Sequence, residues 1–180
     1  MSLHIITGCM FSGKTTALMT AYDECDTSKV LINHATDVRY SAEADVTTHD
    51  RRTRAARPCH RLRDVTAHEE YPTARAVFVD EAQFFPDLGE IVTRMVHGDA
   101  KHVTIAGLHS DFKRTKFGQL LDLVPIATRV TFLYARCAQC GARACFSQLR
   151  TDADDRFGQH RVGADDAFVA KCEEHYEPSA

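Results

Sequence analysis

The sequence predicts an α/β fold, a parallel sheet flanked by helices and followed by a small metal-tied appendage. Three observations predict it. Short apolar runs alternate with stretches of helical periodicity, the first run leads into a glycine-rich loop, and cysteines gather towards the end of the chain. A length of 180 residues suits one domain with a modest addition. Hydrophobic residues at 44% and charged residues at 26% exclude a disordered tail or a fibre. The uncharged stretches fall far short of the roughly 20 apolar residues that span a membrane. No basic segment followed by an apolar one opens the chain, so a cytoplasmic location is expected. A net charge of −3 offers nothing to a nucleic-acid polymer or an anionic lipid surface.

The elements follow in chain order. Residues 3–7, 30–33, 76–80, 102–106 and 129–135 are short and rich in Val, Ile or Phe, as strands covered on both faces are. Residues 14–25 place Ala17, Leu18 and Ala21 at helical spacing, and 88–97 place Leu88, Ile91, Val92, Met95 and Val96 on one helical face. The stretch 34–71 is the least regular. Its Arg51, Arg52, Arg54, Arg57, Arg61 and Arg63 read as a solvated loop or as a flap facing phosphate. From Arg136 the composition changes, which sets a boundary between 1–135 and 136–180.

Gly8-Cys9-Met10-Phe11-Ser12-Gly13-Lys14-Thr15 matches G-x-x-x-x-G-K-[ST] between a predicted strand and a predicted helix. The glycines permit turns that aim successive N–H groups at a polyphosphate, and the helix adds its positive end. Lys14 then reaches the β- and γ-phosphates of a nucleotide such as ATP, and the Thr15 hydroxyl is a hard ligand for Mg²⁺.

Asp80 and Glu81 end the run 76–79 at the sheet edge where open α/β folds bind ligands. Asp80 reads as a second magnesium anchor. Glu81 has two readings: it takes a proton from a substrate hydroxyl, or it orients a water for hydrolysis.

Cys137-x-x-Cys140 and Cys172-x-x-His175 are two chelating pairs separated by residues 141–171. Three thiolates and an imidazole make a closed tetrahedral set for structural Zn²⁺. Cys9, Cys25, Cys59 and Cys145 have no partner at ligand spacing and read as small buried residues. Cys9 is the exception, because a thiol in an anion-binding loop is expected to be acidified. Residues 151–180 carry eight acidic side chains against Arg156, Arg161 and Lys171, which fits a small-molecule lid better than a nucleic-acid contact.

With the phosphate loop, Val-Asp-Glu-Ala-Gln-Phe-Phe at 79–85 and the zinc-tied insert in that order, the sequence resembles the cytosolic-type thymidine kinase family. Asp37-Val38-Arg39-Tyr40, Thr48-His49-Asp50-Arg51, Gly107-Leu108, Asp111-Phe112, Phe117-Gly118 and Val162-Gly163 extend the resemblance over nearly the whole chain. It implies transfer of the γ-phosphate of ATP to the 5′-hydroxyl of thymidine or deoxyuridine, with Glu81 as general base. A zinc-containing P-loop ATPase without a nucleoside acceptor is the alternative.

The resemblance also implies that Asp80, Glu81, Ala82 and Gln83 face the phosphates and metal, with Asp37, Val38 and Arg39 beside the transferring group. Met10, Phe84, Leu108, Phe112 and Phe117 would wall the nucleoside. The backbone of Gln159, His160, Arg161, Val162 and Gly163 would hold the base edge, with Phe168 stacked on the ring. His109 stands where many relatives have a carboxylate, and Phe168 where many have Tyr. A homotetramer and inhibition by the end product dTTP are further implications. The combined expectation is a P-loop NTPase-like α/β domain over 1–135 and a small zinc-binding lasso domain over 136–180.

Overall fold

A computed structural model describes residues 1–35, 45–47, 53–150 and 167–178. In chain order, β1 (Ser2–Gly8) runs through the phosphate loop into α1 (Lys14–Asp23) and then β2 (Lys29–His34). A small antiparallel hairpin pairs β3 (Asp45–Thr47) with β4 (Thr53–Ala55), followed by β5 (Arg57–Cys59) and the short α2 (Leu62–Thr66). Next come β6 (Ala76–Val79), α3 (Leu88–Thr93), β7 (His102–Leu108) and β8 (Arg129–Leu133). Beyond them β9 (Ala135–Arg136) pairs with β10 (Arg143–Ala144), and β11 (Phe146–Leu149) with β12 (Phe168–Lys171), both antiparallel.

The main sheet has six strands in the order β5-β2-β6-β7-β1-β8, every pair parallel, so the predicted α/β class stands. The alternation of side chains along each strand separates two apolar layers. Leu3, Ile5, Val30, Ile32, Val77, Val79, Val103 and Ile105 point to the side covered by α2, α3 and the 3₁₀ segment Leu120–Ile126. Ile6, Leu31, Phe78 and Ala106 point to the side covered by α1 through Leu18 and Met19.

Three expectations need correction. The stretch 34–71 is not merely irregular, since it supplies the hairpin, the edge strand β5 and α2. Three of its arginines pair with acids: Arg54 with Asp23, Arg57 with Glu70, and Arg63 with Asp87 and Glu90. These pairs hold the three arginines at an exposed surface, in keeping with the solvated reading. The run 129–135 breaks at Tyr134, and β8 is an edge strand with Arg129, Val130 and Phe132 exposed. Parallel pairing on one side only leaves its outer side to solvent. Finally, 88–97 is not one α-helix. After Thr93 the backbone widens into a π-helical turn over Arg94–Gly98, which still buries Met95 and Val96.

Asp87 joins the two helices on the β5 side of the sheet. Its carboxylate accepts the backbone N–H groups of Leu62 (2.9 Å) and Arg63 (3.1 Å), satisfying donors at the start of α2.

Candidate active site and metal centre

The sheet register brings the site together. Gly8 at the end of β1 is level with Leu108 at the end of β7, and Val79 at the end of β6 is level with Ile105. Residues 8–15, 80–83 and 108–118 therefore leave the sheet at the same edge. This is the carboxyl edge, where parallel sheets bind ligands.

Gly13 caps α1 with φ +81°, a left-handed conformation that glycine adopts without penalty. No side chain caps this helix, which leaves its first N–H groups directed at an incoming anion. Phe11 is also left-handed, at φ +63°. Lys14 Nζ donates to the Cys9 carbonyl at 2.7 Å and Ser12 Oγ donates to the same oxygen at 2.8 Å. The lysine is thus held over the loop it serves. Thr15, the first residue after it, is half-buried in the first turn of α1.

Cys9 departs from expectation. It is 1% exposed, and burial pushes its thiol up, outweighing the backbone at Ala135 and the nearby Lys14 charge.

Asp80 is buried at 3% exposure, and Glu81 beside it is half-buried. Glu81 sits at φ +50°, ψ +39°, an uncommon backbone for a non-glycine residue and one that concentrates at functional sites. Gln83 Nε2 donates to Glu81 Oε2 at 2.5 Å, while Gln83 Oε1 accepts the Leu108 N–H at 2.9 Å. With both amide ends engaged, Gln83 fixes the rotamer of the carboxylate. Ala82 is buried in the adjoining 3₁₀ turn.

His109 follows Leu108 and faces the Gly8 carbonyl and Lys14, with the Phe132 ring 4.8 Å away. Burial first, then the Lys14 charge, hold its imidazole below the ordinary value. Its Nδ1 is buried without a hydrogen-bond partner among the described residues.

The residues expected to wall a nucleoside fall into two groups. Phe112, Phe168 and Ala167 form one buried cluster with Met10 and Leu149 against it, the two rings 6.0 Å apart. Phe84 meets Phe117 edge-to-face at 5.3 Å and also contacts His34. Leu108, the last residue of β7, is half-buried, with its N–H held by Gln83. Asp37, Val38 and Arg39 lie outside the described residues, as do Gln159, His160, Arg161, Val162 and Gly163. Sequence reasoning missed Ser147, whose hydroxyl accepts the Met10 N–H at 2.9 Å. Nothing local in the chain marks it, because its partner is 137 residues away.

The metal centre is built by the β9–β10 turn and the end of β12. The turn closes through Cys137 N–H to the Ala142 carbonyl (2.7 Å) and Gly141 N–H to the Cys137 carbonyl (2.8 Å). The 3₁₀ turn Glu173–His175 swings His175 back beside Cys172. Sγ of Cys137, Cys140 and Cys172 and a ring nitrogen of His175 all lie within 4.8 Å of one another. Cys140 and Cys172 are 3.8 Å apart. A tetrahedron with Zn–S bonds of about 2.3 Å has an edge of about 3.8 Å, so the Cys140–Cys172 separation is compatible with zinc. Backbone N–H groups, Cys172 first and then Cys140 and Gln139, together with the Cys172 side chain, pull the Cys137 thiol to about 6, the thiolate form that binds metal. A metal held by all four donors would have no open position, as in structural zinc sites.

Comparison with known proteins agrees with this architecture. The family profile described as "Thymidine kinase" matches residues 1–176. The chain is 36% identical to "Thymidine kinase" of Oryza sativa subsp. japonica over 184 residues, covering 97% of this chain and 65% of that protein. It is 38% identical to "Thymidine kinase, cytosolic" of Homo sapiens over 174 residues, covering 94% and 70%. To "Thymidine kinase" of Monkeypox virus it is 33% identical over 178 residues, covering 97% and 96%. The chain thus spans about two thirds of the plant and human relatives and nearly all of the viral one. Among the described residues no helix is long and apolar enough to cross a membrane. A glycine loop under α1, a carboxylate pair at the end of β6 and a Cys₃His cluster at the end of β12 are what that profile match spans, and the chain belongs to the thymidine kinase family.

Proposed function

We propose that the chain transfers the γ-phosphate of ATP to the 5′-hydroxyl of thymidine or deoxyuridine. The observation that carries this is Glu81. It is held by Gln83 at the same sheet edge as the phosphate loop, in a left-handed backbone that a purely structural role would not require. In this reading the carboxylate accepts the 5′-hydroxyl proton as the oxygen attacks phosphorus. Lys14 leaves the Cys9 carbonyl for the β- and γ-phosphate oxygens, where its charge offsets the build-up of negative charge. The N–H groups from Phe11 to Thr15 hold the remaining oxygens.

The Thr15 hydroxyl and the Asp80 carboxylate, both hard oxygen donors, would hold Mg²⁺. There it would supply positive charge to offset the negative charge of the phosphates. Asp37, Val38 and Arg39 would approach the transferring group. Met10, Phe84, Leu108, Phe112, Phe117 and Phe168 would enclose the nucleoside. The backbone of 159–163 would read the pyrimidine edge, in a lasso domain over 136–180 with zinc at its base. Inhibition by dTTP at the same pocket, a homotetramer and a cytosolic location complete the proposal, the last in keeping with relatives named as cytosolic.

The deciding experiment offers ATP with thymidine, deoxyuridine, deoxycytidine and deoxyguanosine in turn. ATP consumption strictly dependent on thymidine or deoxyuridine is the expected result. Phosphate release without any nucleoside would establish the ATPase alternative instead.

A further inference from the structure

The phosphate loop does not stand alone. Cys9, its first residue after Gly8, lies in one apolar cluster with Ala135, Ala144, Ala170 and the zinc ligands Cys137 and Cys172. Its thiol donates to the Ala144 carbonyl of β10 at 3.5 Å. The next residue, Met10, donates its backbone N–H to Ser147 Oγ of β11 at 2.9 Å, and Ser147 is 4% exposed. The Met10 side chain rests on the cluster containing Leu149 and Phe168, from β11 and β12. Two consecutive loop residues are therefore each fastened to a different strand of the zinc-bearing segment. Their backbone in turn sets the Cys9 carbonyl, onto which Ser12 and Lys14 close.

We propose that the zinc segment is a structural support of the phosphate loop, with Ser147 as the positioning residue that couples metal occupancy to nucleotide binding. The proposal builds on the kinase reading above, since it takes ATP as the ligand of the loop. Ser147 occupies the Met10 N–H, a donor at the loop entrance. This fixes the entry direction of the chain so that the N–H groups beyond it converge on the phosphates. Loss of the metal frees Cys137 and Cys172 from their shared cluster, and the Cys9 side of the loop loses its backing. Coupling of this kind is reciprocal: nucleotide that tightens the loop must also tighten the metal.

The test uses zinc-loaded full-length protein with Mg²⁺-ADP and Mg²⁺-ATP as probes. Zinc release to a colorimetric chelator is timed with and without nucleotide. Nucleotide affinity is measured by calorimetry for the wild type, Ser147→Ala and Ser147→Thr. Release is expected to slow several-fold with nucleotide. Ser147→Ala is expected to weaken nucleotide binding about fivefold, the usual worth of one buried hydrogen bond. It should raise KM for ATP more than KM for thymidine, and lose the nucleotide effect on zinc release. Ser147→Thr keeps the hydroxyl and should recover part of each. Zinc release indifferent to nucleotide, together with unchanged affinity in Ser147→Ala, would overturn the proposal. Coupling that is intact in a protein with no thymidine-dependent turnover would leave it standing and overturn the kinase reading.

Discussion

Gly118 backs directly onto the backbone carbonyl of Gln83: a Cβ at position 118 would collide with that oxygen, and its φ is +59°. The loop after β7 thus presses on the residue that orients Glu81. Gly118→Ala should displace Gln83, lower kcat by an order of magnitude or more and destabilise the fold by about 1–3 kcal/mol. Denaturant unfolding and steady-state kinetics check both parts. Wild-type kcat in a folded variant would show that Gln83 is not held from this side.

Glu81→Gln removes the proton acceptor and keeps the shape. Turnover should fall about 10²–10⁴-fold while ATP binding persists. Gln83→Ala should give a smaller loss in kcat, with ATP affinity nearly unchanged, because the carboxylate remains but its rotamer is released. Rapid-quench measurement of the phosphoryl-transfer step separates these effects from product release.

Cys172→Ser should lower zinc content from about one per chain and weaken nucleoside binding. Elemental analysis and nucleoside titration read this out. Full thymidine affinity in a zinc-free protein would remove the metal from the site's support.

The carboxylate of Asp87 supplies a pH dependence. Its own burial would raise the carboxyl, but the Leu62 and Arg63 N–H groups and the Arg63 guanidinium overcome that and hold it below the ordinary range. A depressed folded value means stability present above the unfolded value and lost as pH falls through the folded one. Melting temperature should therefore drop on the acid side of about pH 4. Asp87→Asn should be less stable at neutral pH and lose part of that acid dependence.

The phosphate loop, the acid pair and the zinc donors were legible because each is a short spacing within the chain. The six-stranded sheet was nearly so, missing only β5. Arg57-Pro58-Cys59 is too short to show any periodicity, and its strand character comes from pairing with Ile32, Asn33 and His34. Apolar content alone did not reveal β8 as an edge, since Val130 and Phe132 look the same whether covered or not. Cys9 misled for a related reason: the loop's positive field was readable, but the burial that overrides it comes from strands 126 and more residues away. Ser147 acts through a partner set by tertiary approach, as does the hold of Leu108 on Gln83, and no local pattern carries that.

Phe11 and Glu81 share an evolutionary liability. Each occupies a left-handed backbone, at φ +63° and +50°, that costs a side-chain-bearing residue about 1–2 kcal/mol. A directed-evolution campaign scored on heat resistance alone would be drawn towards glycine at both positions. At 81 the winner would be a better-folded protein stripped of its base. Libraries aimed at robustness should therefore hold residue 81 constant and treat any hit at 11 as suspect until its nucleotide affinity is known.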